Sequence, residues 1–154
     1  LIPTKGLYEH YERRLTKIKR MLQKLNLIKR LRIFGPRSDI NRIIAMASIV
    51  VFPFRESYAI MDIPRMMLEA MACGRPIITT KFGAVKEIIN NGHNGIIVRS
   101  ANENEIAETI DMLLSDATYM SFLGRNARRT IRSKYSLEVM GDRLYHVYSM
   151  LLRH

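Results

Sequence analysis

The sequence predicts an α/β fold, a doubly wound parallel sheet, and three observations carry that prediction. Short apolar runs recur: Leu31-Arg-Ile-Phe34, Ile49-Val-Val-Phe52, Pro76-Ile-Ile-Thr-Thr80 and Ile96-Ile-Val98. Runs this apolar and β-branched read as strands covered on both faces. The first three are followed by turn formers, Gly35-Pro36, Pro53 and Gly83. Stretches of helical periodicity lie between them, and alternation of strand and helix is the pattern of a parallel sheet with crossover helices.

Taken in order, residues 7–25 form an amphipathic helix, because Leu7, Tyr11, Leu15, Ile18, Leu22 and Leu25 recur at steps of three and four. Ser38 or Asp39 caps a short helix carrying Ile40, Ile43, Ile44 and Met46. After the strand at 49–52, a polar and aromatic loop at 54–61 leads to Asp62-Ile63-Pro64. These residues open a helix, with Asp62 near the N-cap and Pro64 in its first turn. Met66, Met67, Leu68 and Met71 form its core stripe, and Gly74 stops it. A helix at 85–90 follows the strand at 76–80, and Gly92 and Gly95 frame a turn before the strand at 96–98. Helices at about 103–114, 117–132 and 137–152 close the chain.

Composition bounds the function. The chain has 154 residues, of which 47% are hydrophobic, enough for one domain with a core. No apolar run approaches the roughly 18 residues of a membrane helix. The one cysteine, Cys73, excludes an internal disulfide framework and fits a reducing cytoplasm. The four histidines are scattered, so no metal site is expected. The net charge of +11 is uneven. Arg13, Arg14, Lys17, Lys19, Arg20, Lys24, Lys29 and Arg30 crowd the first 30 residues, and Arg125, Arg128, Arg129, Arg132 and Lys134 form a second cluster. A solvated helix face and an anionic membrane surface both suit these clusters. Without aromatic interleaving or a known module, nucleic acid is not an expected partner.

In doubly wound sheets ligands bind at the carboxyl ends of the strands, here 35–38, 53–62 and 80–84. Gly35, Gly74 and Gly83 permit close backbone approach. A helix starting near Asp62 presents free N–H groups to an anion. Glu69, two turns in, can accept two hydrogen bonds from a vicinal diol such as ribose. Arg55 and Lys81 stand at neighbouring exits, placed to meet a diphosphate.

Two longer strings go further. Val51-Phe-Pro-Phe-Arg-Glu56, followed by Leu68-Glu-Ala-Met-Ala-Cys-Gly-Arg-Pro-Ile-Ile78, closely resembles glycosyltransferase family 4, the glycosyl transferases group 1. The segment Thr79–Ile89 and then Asn91-Gly-His-Asn-Gly-Ile-Ile-Val98 continue the likeness. It is strong over about 31–114 and looser through the last helices.

The resemblance implies two Rossmann-like domains facing a cleft (the GT-B fold). Residues 1–154 would be most of the C-terminal, donor-binding domain, incomplete at its N-terminus and lacking the acceptor domain. It implies transfer of a sugar, usually with retention, from a UDP-, GDP- or ADP-sugar to a glycan or lipid-linked acceptor. No metal and no cofactor beyond the donor substrate are implied, and the place is cytoplasmic or peripheral on the cytoplasmic membrane face. By motif position Glu69 holds the ribose. The diphosphate falls to the loop and helix start, with Ser57, Tyr58, Ala59, Ile60, Asp62, Ile63 and Arg65. Gly35 and Arg37 lie beside the base. The family's first glutamate stands eight positions before its second, but that position here is Met61. Glu56, 13 positions before Glu69, takes the catalytic role from a longer loop, with Asp62 as the alternative. Ala84 replaces the second glycine of a family pair. The family's basic Arg and Lys have no counterpart, since Lys5-Gly6 is one helix too close to the strand at 31. A non-catalytic nucleotide-binding or regulatory module of the same fold is the competing reading.

Overall fold

The computed structural model describes residues 5–35, 37–54, 64–99 and 101–152, with side chains from residue 12 onward. The chain divides into two compact units, residues 1–38 and 39–154.

In the first unit, α1 (Lys5–Lys24) is the expected amphipathic helix. Leu22 is buried and Leu15 half-buried, while Ile18 and Leu25 are exposed; Leu7 and Tyr11 lie outside the described side chains. Asn26 ends the helix at φ 54°. Leu27 N–H donates to the Leu22 carbonyl at 2.8 Å and Asn26 N–H to that of Gln23 at 3.1 Å. This is a Schellman ending with asparagine in the left-handed position. The strand expected at 31–34 is absent. Leu31, Ile33 and Phe34 are exposed, and no backbone hydrogen bond of residues 31–35 is found among the described residues. Apolar β-branched composition favours extended backbone, but only a paired ladder makes it a strand.

The second unit runs α2 (Ile40–Met46), β1 (Val50–Phe52), α3 (Arg65–Ala72), β2 (Ile77–Thr80), α4 (Val85–Ile88), β3 (Ile96–Val98), α5 (Glu103–Ser115), α6 (Ala117–Lys134) and α7 (Leu137–Leu151). The three strands are parallel in the order β1-β2-β3, with Val51 opposite Ile78 and Ile78 opposite Ile96. Successive side chains leave opposite faces of the sheet. Val50, Phe52, Ile77 and Ile97 join Ile44, Met67, Met71, Ala127 and Ile131, which brings α2, α3 and α6 to one face. Val51, Ile78, Ile96 and Val98 join Ile106, Ile110, Leu113 and Leu123, which brings α5 to the other. All of β2 is buried. A parallel sheet with helices on both faces is the predicted fold.

Local chemistry explains the helix ends. Asn102 accepts hydrogen bonds from the N–H groups of Asn104 and Glu105, Asp116 from Tyr119, and Ser136 from Val139. Each side chain satisfies N–H groups that a helix start leaves free. Asp39 takes the N-cap position of α2 without a side-chain capping bond. Pro64 stands at the N-cap of α3 rather than inside its first turn. Met66 is exposed, and the core side of α3 is Met67, Ala70 and Met71, the set that helical spacing places on one stripe.

Candidate functional site

A parallel β1-α3-β2 unit requires its helix to start near the carboxyl edge of the sheet and end near the amino edge. The carboxyl edge is therefore where β1 hands over to the loop before α3 and where β2 hands over to α4. Two threonines on β2 pin this edge. The Thr80 hydroxyl donates to the Phe54 carbonyl at 2.7 Å, and that of Thr79 is shared between the Phe52 and Thr80 carbonyls at 3.3 and 3.2 Å. Phe54 stacks on Phe52 at 5.9 Å between ring centres and tilts against Phe82 at 4.2 Å. The exits of β1 and β2 are thus held together by a hydroxyl and an aromatic pair before the chain reaches the loop. Sequence reasoning missed these five residues as a scaffold. The signal available was a threonine pair ending a fully apolar strand, beside aromatics two residues past β1.

On α3, Arg65 and Glu69 share the side away from the core. The Arg65 Nε donates to Glu69 Oε1 at 2.8 Å. The arginine side chain is 90% exposed and the glutamate 21%, so the carboxylate sits at the wall while its partner lies in solvent. One oxygen of Glu69 carries this bond. The other faces no donor among the described residues, and a carboxylate can accept several hydrogen bonds.

At the exit of β2, Gly83 adopts φ +41°, and α4 begins with Lys86 in its first turn. Lys81 stands beside Lys86 and, by hydrogen bonding and charge repulsion, holds the Lys86 ammonium below the usual lysine range. Two neighbouring ammonium groups at a carboxyl edge form an anion-attracting corner. Lys81 was an expected anion group, and Lys86 was not.

The remaining expected residues separate into two groups. Glu56, Ser57, Tyr58, Ala59, Ile60, Asp62 and Ile63 lie outside the described residues, as does Arg55. Gly35 and Arg37 belong to the first unit. Gly35 is exposed, and a Cβ built there meets nothing within 4 Å, so packing among the described residues does not demand glycine. The Arg37 guanidinium lies 5.2 Å from the centre of the Phe34 ring, a cation–π contact. Of the expected residues, Arg65 and Glu69 are brought into contact. Among the described residues, no group of three or more His, Cys, Asp or Glu is placed to hold a metal ion. No described helix is long and apolar enough to cross a membrane.

Residues 8–116 match the family described as glycosyl transferases group 1. The chain belongs to that family. An uncharacterized glycosyltransferase of Methanocaldococcus jannaschii is 33% identical over 107 residues, which is 69% of this chain and 26% of the relative. The crystal structure of the C-terminal domain of a group 1 family protein from Francisella tularensis superposes with TM-score 0.66 at 26% identity, covering 79% of this chain and 62% of that one. Anabaena HepE, crystallised with UDP-glucose, gives TM-score 0.78 at 21% identity over 88% of this chain and 36% of that one, a likeness of fold. The chain spans between 26% and 35% of the length of three of the relatives it matches. A group 1 glycosyl transferase carries a GT-B, Rossmann-like domain, and the parallel sheet with helices on both faces is that architecture.

Proposed function

We propose that this chain is the donor-binding part of a glycosyltransferase and that it holds a nucleoside diphosphate sugar at the carboxyl edge of its sheet. The observation carrying this is Glu69, a half-buried carboxylate on the outward side of α3, oriented by Arg65. A carboxylate so presented suits the two hydroxyls of a ribose, whose donors match its acceptor oxygens.

The diphosphate then falls to the start of α3 and the loop before it, with Ser57, Tyr58, Ala59, Ile60, Asp62, Ile63 and Arg65. Cationic side chains and free helix N–H groups complement its charge. Glu56, or Asp62 in its place, is the acid beside the transferred sugar. The donor is a UDP-, GDP- or ADP-sugar, and transfer proceeds with retention to a glycan or lipid-linked acceptor held by a further domain. No cofactor is required. The protein works in the cytoplasm, and the exposed Arg13, Arg14, Lys17 and Arg20 of α1 give it a peripheral affinity for anionic membrane that fades with salt.

Calorimetric titration of UDP, GDP and ADP into the chain and into Glu69→Gln tests the reading. One nucleotide binds, and the variant weakens it tenfold to over a hundredfold, since a hydrogen bond to a charged group is worth about 1.5–3 kcal/mol. Equal affinities overturn the role of Glu69. The 154 residues alone show no donor turnover, because the departing diphosphate needs a closed, ordered site.

A further inference from the structure

At the amino edge of the sheet, the end where α3 stops and β1 and β2 begin, there is a hollow of about 350 Å³. Ser48, Cys73, Arg75, Ser121, Arg125 and Arg128 supply its polar lining. Its floor is the crossing of α3 and α6, where Gly74 faces Gly124 and the Arg128 stem lies over Gly74.

The charges of the lining are of one sign. No carboxylate lines the hollow among the described residues. Arg75 is built in: its Nε donates to the Cys73 carbonyl and its Nη1 to that of Ala47, both at 3.2 Å. Its other donors are left over, as a guanidinium has more than these bonds use. Arg125 and Arg128 make no hydrogen bond or ion pair with another described residue, in spite of standing three apart on one helix side. They also line a neighbouring hollow of about 400 Å³ with Arg129, Arg132 and Ser133. One acid, Glu138, feels the charge of Arg132 at the far end of this row. Like charges at such spacings destabilise a helix, and no described acid pairs with Arg125 or Arg128.

We propose that this hollow is a second anion site, one that takes a phosphate ester between Arg75, Arg125 and Arg128, with Ser48 and Ser121 as hydroxyl donors. Guanidinium forks match phosphate oxygens in pairs, and a wall without acids leaves the ester uncontested. The hollow is larger than a bare ion needs and open to a substituent. The ester comes from a soluble phosphorylated metabolite or from a phospholipid headgroup. The site lies at the opposite strand ends from the proposed donor edge, so it stands whether or not the donor reading does.

Cys73 provides the readout, because it is the only cysteine of the chain and lines the hollow. Its alkylation rate in the 154-residue chain is followed against glycerol 3-phosphate, against phosphatidylglycerol vesicles and against phosphatidylcholine vesicles, with potassium chloride at matched ionic strength. Saturable slowing by glycerol 3-phosphate assigns a soluble ligand. Slowing by phosphatidylglycerol vesicles alone assigns a headgroup. In Arg125→Gln/Arg128→Gln the concentration for half-protection rises about tenfold or more, while circular dichroism and UDP titration stay as in the parent chain. Both arginines are exposed on α6, and glutamine keeps helix propensity. The proposal is overturned if neither phosphate source protects Cys73, if potassium chloride protects equally, or if the double variant is protected as well as the parent.

Discussion

Arg65 and Glu69 meet one turn apart on α3, with the Arg65 Nε donating to Glu69 Oε1 at 2.8 Å. The pair is exposed at its arginine end, so its own worth is small, about 0.2–1 kcal/mol for pairs of this kind. The contact orients the Glu69 carboxylate, and the proposed site also sets Arg65 beside the diphosphate. Arg65→Ala therefore weakens nucleotide binding by less than about fivefold if orientation is all that is lost. A larger loss, approaching that of Glu69→Gln, assigns Arg65 a direct contact with the diphosphate. Calorimetry on the two single variants and the double variant separates the cases, since coupled residues depart from additivity.

Much of this fold was legible because the second unit satisfies local and global demands together. The runs at 50–52, 77–80 and 96–98 are strands, and Gly74 stops α3 with its ordinary chemistry. Leu31–Phe34 has the same composition and no ladder, because pairing depends on a neighbour that composition does not reveal. Within the site, Glu69 could be singled out as a carboxylate near the start of a helix at a strand exit, although α3 begins at Arg65 and so places it one turn in rather than two. Lys86 could not, because its meaning comes from Lys81 across a turn. The expected Gly35 carries no steric signature, whereas Gly124, inside a helix and unremarked by sequence, has the strongest one.

That signature is a backbone crossing. A Cβ on Gly124 would collide with the carbonyl oxygen of Gly74, and the next nearest atom, Gly74 C, lies at 3.2 Å. The obstacle is backbone and cannot swing aside, so α3 and α6 must separate. Gly124→Ala costs about 1–3 kcal/mol, the range of overpacked interiors, although alanine favours the helix. Gly74→Ala has room, with its nearest atom at 3.6 Å, but carries φ +70°, and its cost is about 1–2 kcal/mol of conformational strain. Denaturant melts measure both. A neutral Gly124→Ala refutes the close crossing.

Lys81 and Lys86 give a pH dependence whose sign is fixed. The folded chain releases the Lys86 proton at lower pH than the unfolded chain does. Below both values the folded state carries the repulsion in full. As pH rises from the folded to the unfolded value, the unfolded state binds more protons and stability increases. Lys81→Gln returns Lys86 to the ordinary lysine range and removes that increase. Titration of isotopically methylated lysines by NMR should show the upward shift, and an unmoved Lys86 would refute the pairing. An anion bound at this corner shifts Lys86 in the same direction, since opposite charge favours the ammonium.

The last helix bears on stability in a different way. α7 buries no residue, and Leu144, Tyr145, Val147, Tyr148 and Leu151 are 48–77% exposed. Burial of apolar area is the main stabilising term of a domain, at about 25 cal/mol per Å², and α7 contributes little of it. Its cap at Ser136 and the contacts of Tyr135 with the core lie before its first residue. A chain ending at Ser136 therefore keeps the three strands and α2 to α6. Its unfolding stays cooperative and weakens by no more than about 1 kcal/mol, or about 4–8 °C in Tm for a domain near this size. Apolar dye binding falls as the exposed stripe is removed. Calorimetric melting and dye fluorescence of the two chains decide it. If the shortened chain loses its cooperative transition, α7 supports the sheet through contacts that its exposure does not suggest. If melting is retained and dye binding is unchanged, the apolar surface that the dye senses belongs elsewhere, with the exposed Leu31, Ile33 and Phe34 of the first unit as the next segment to substitute.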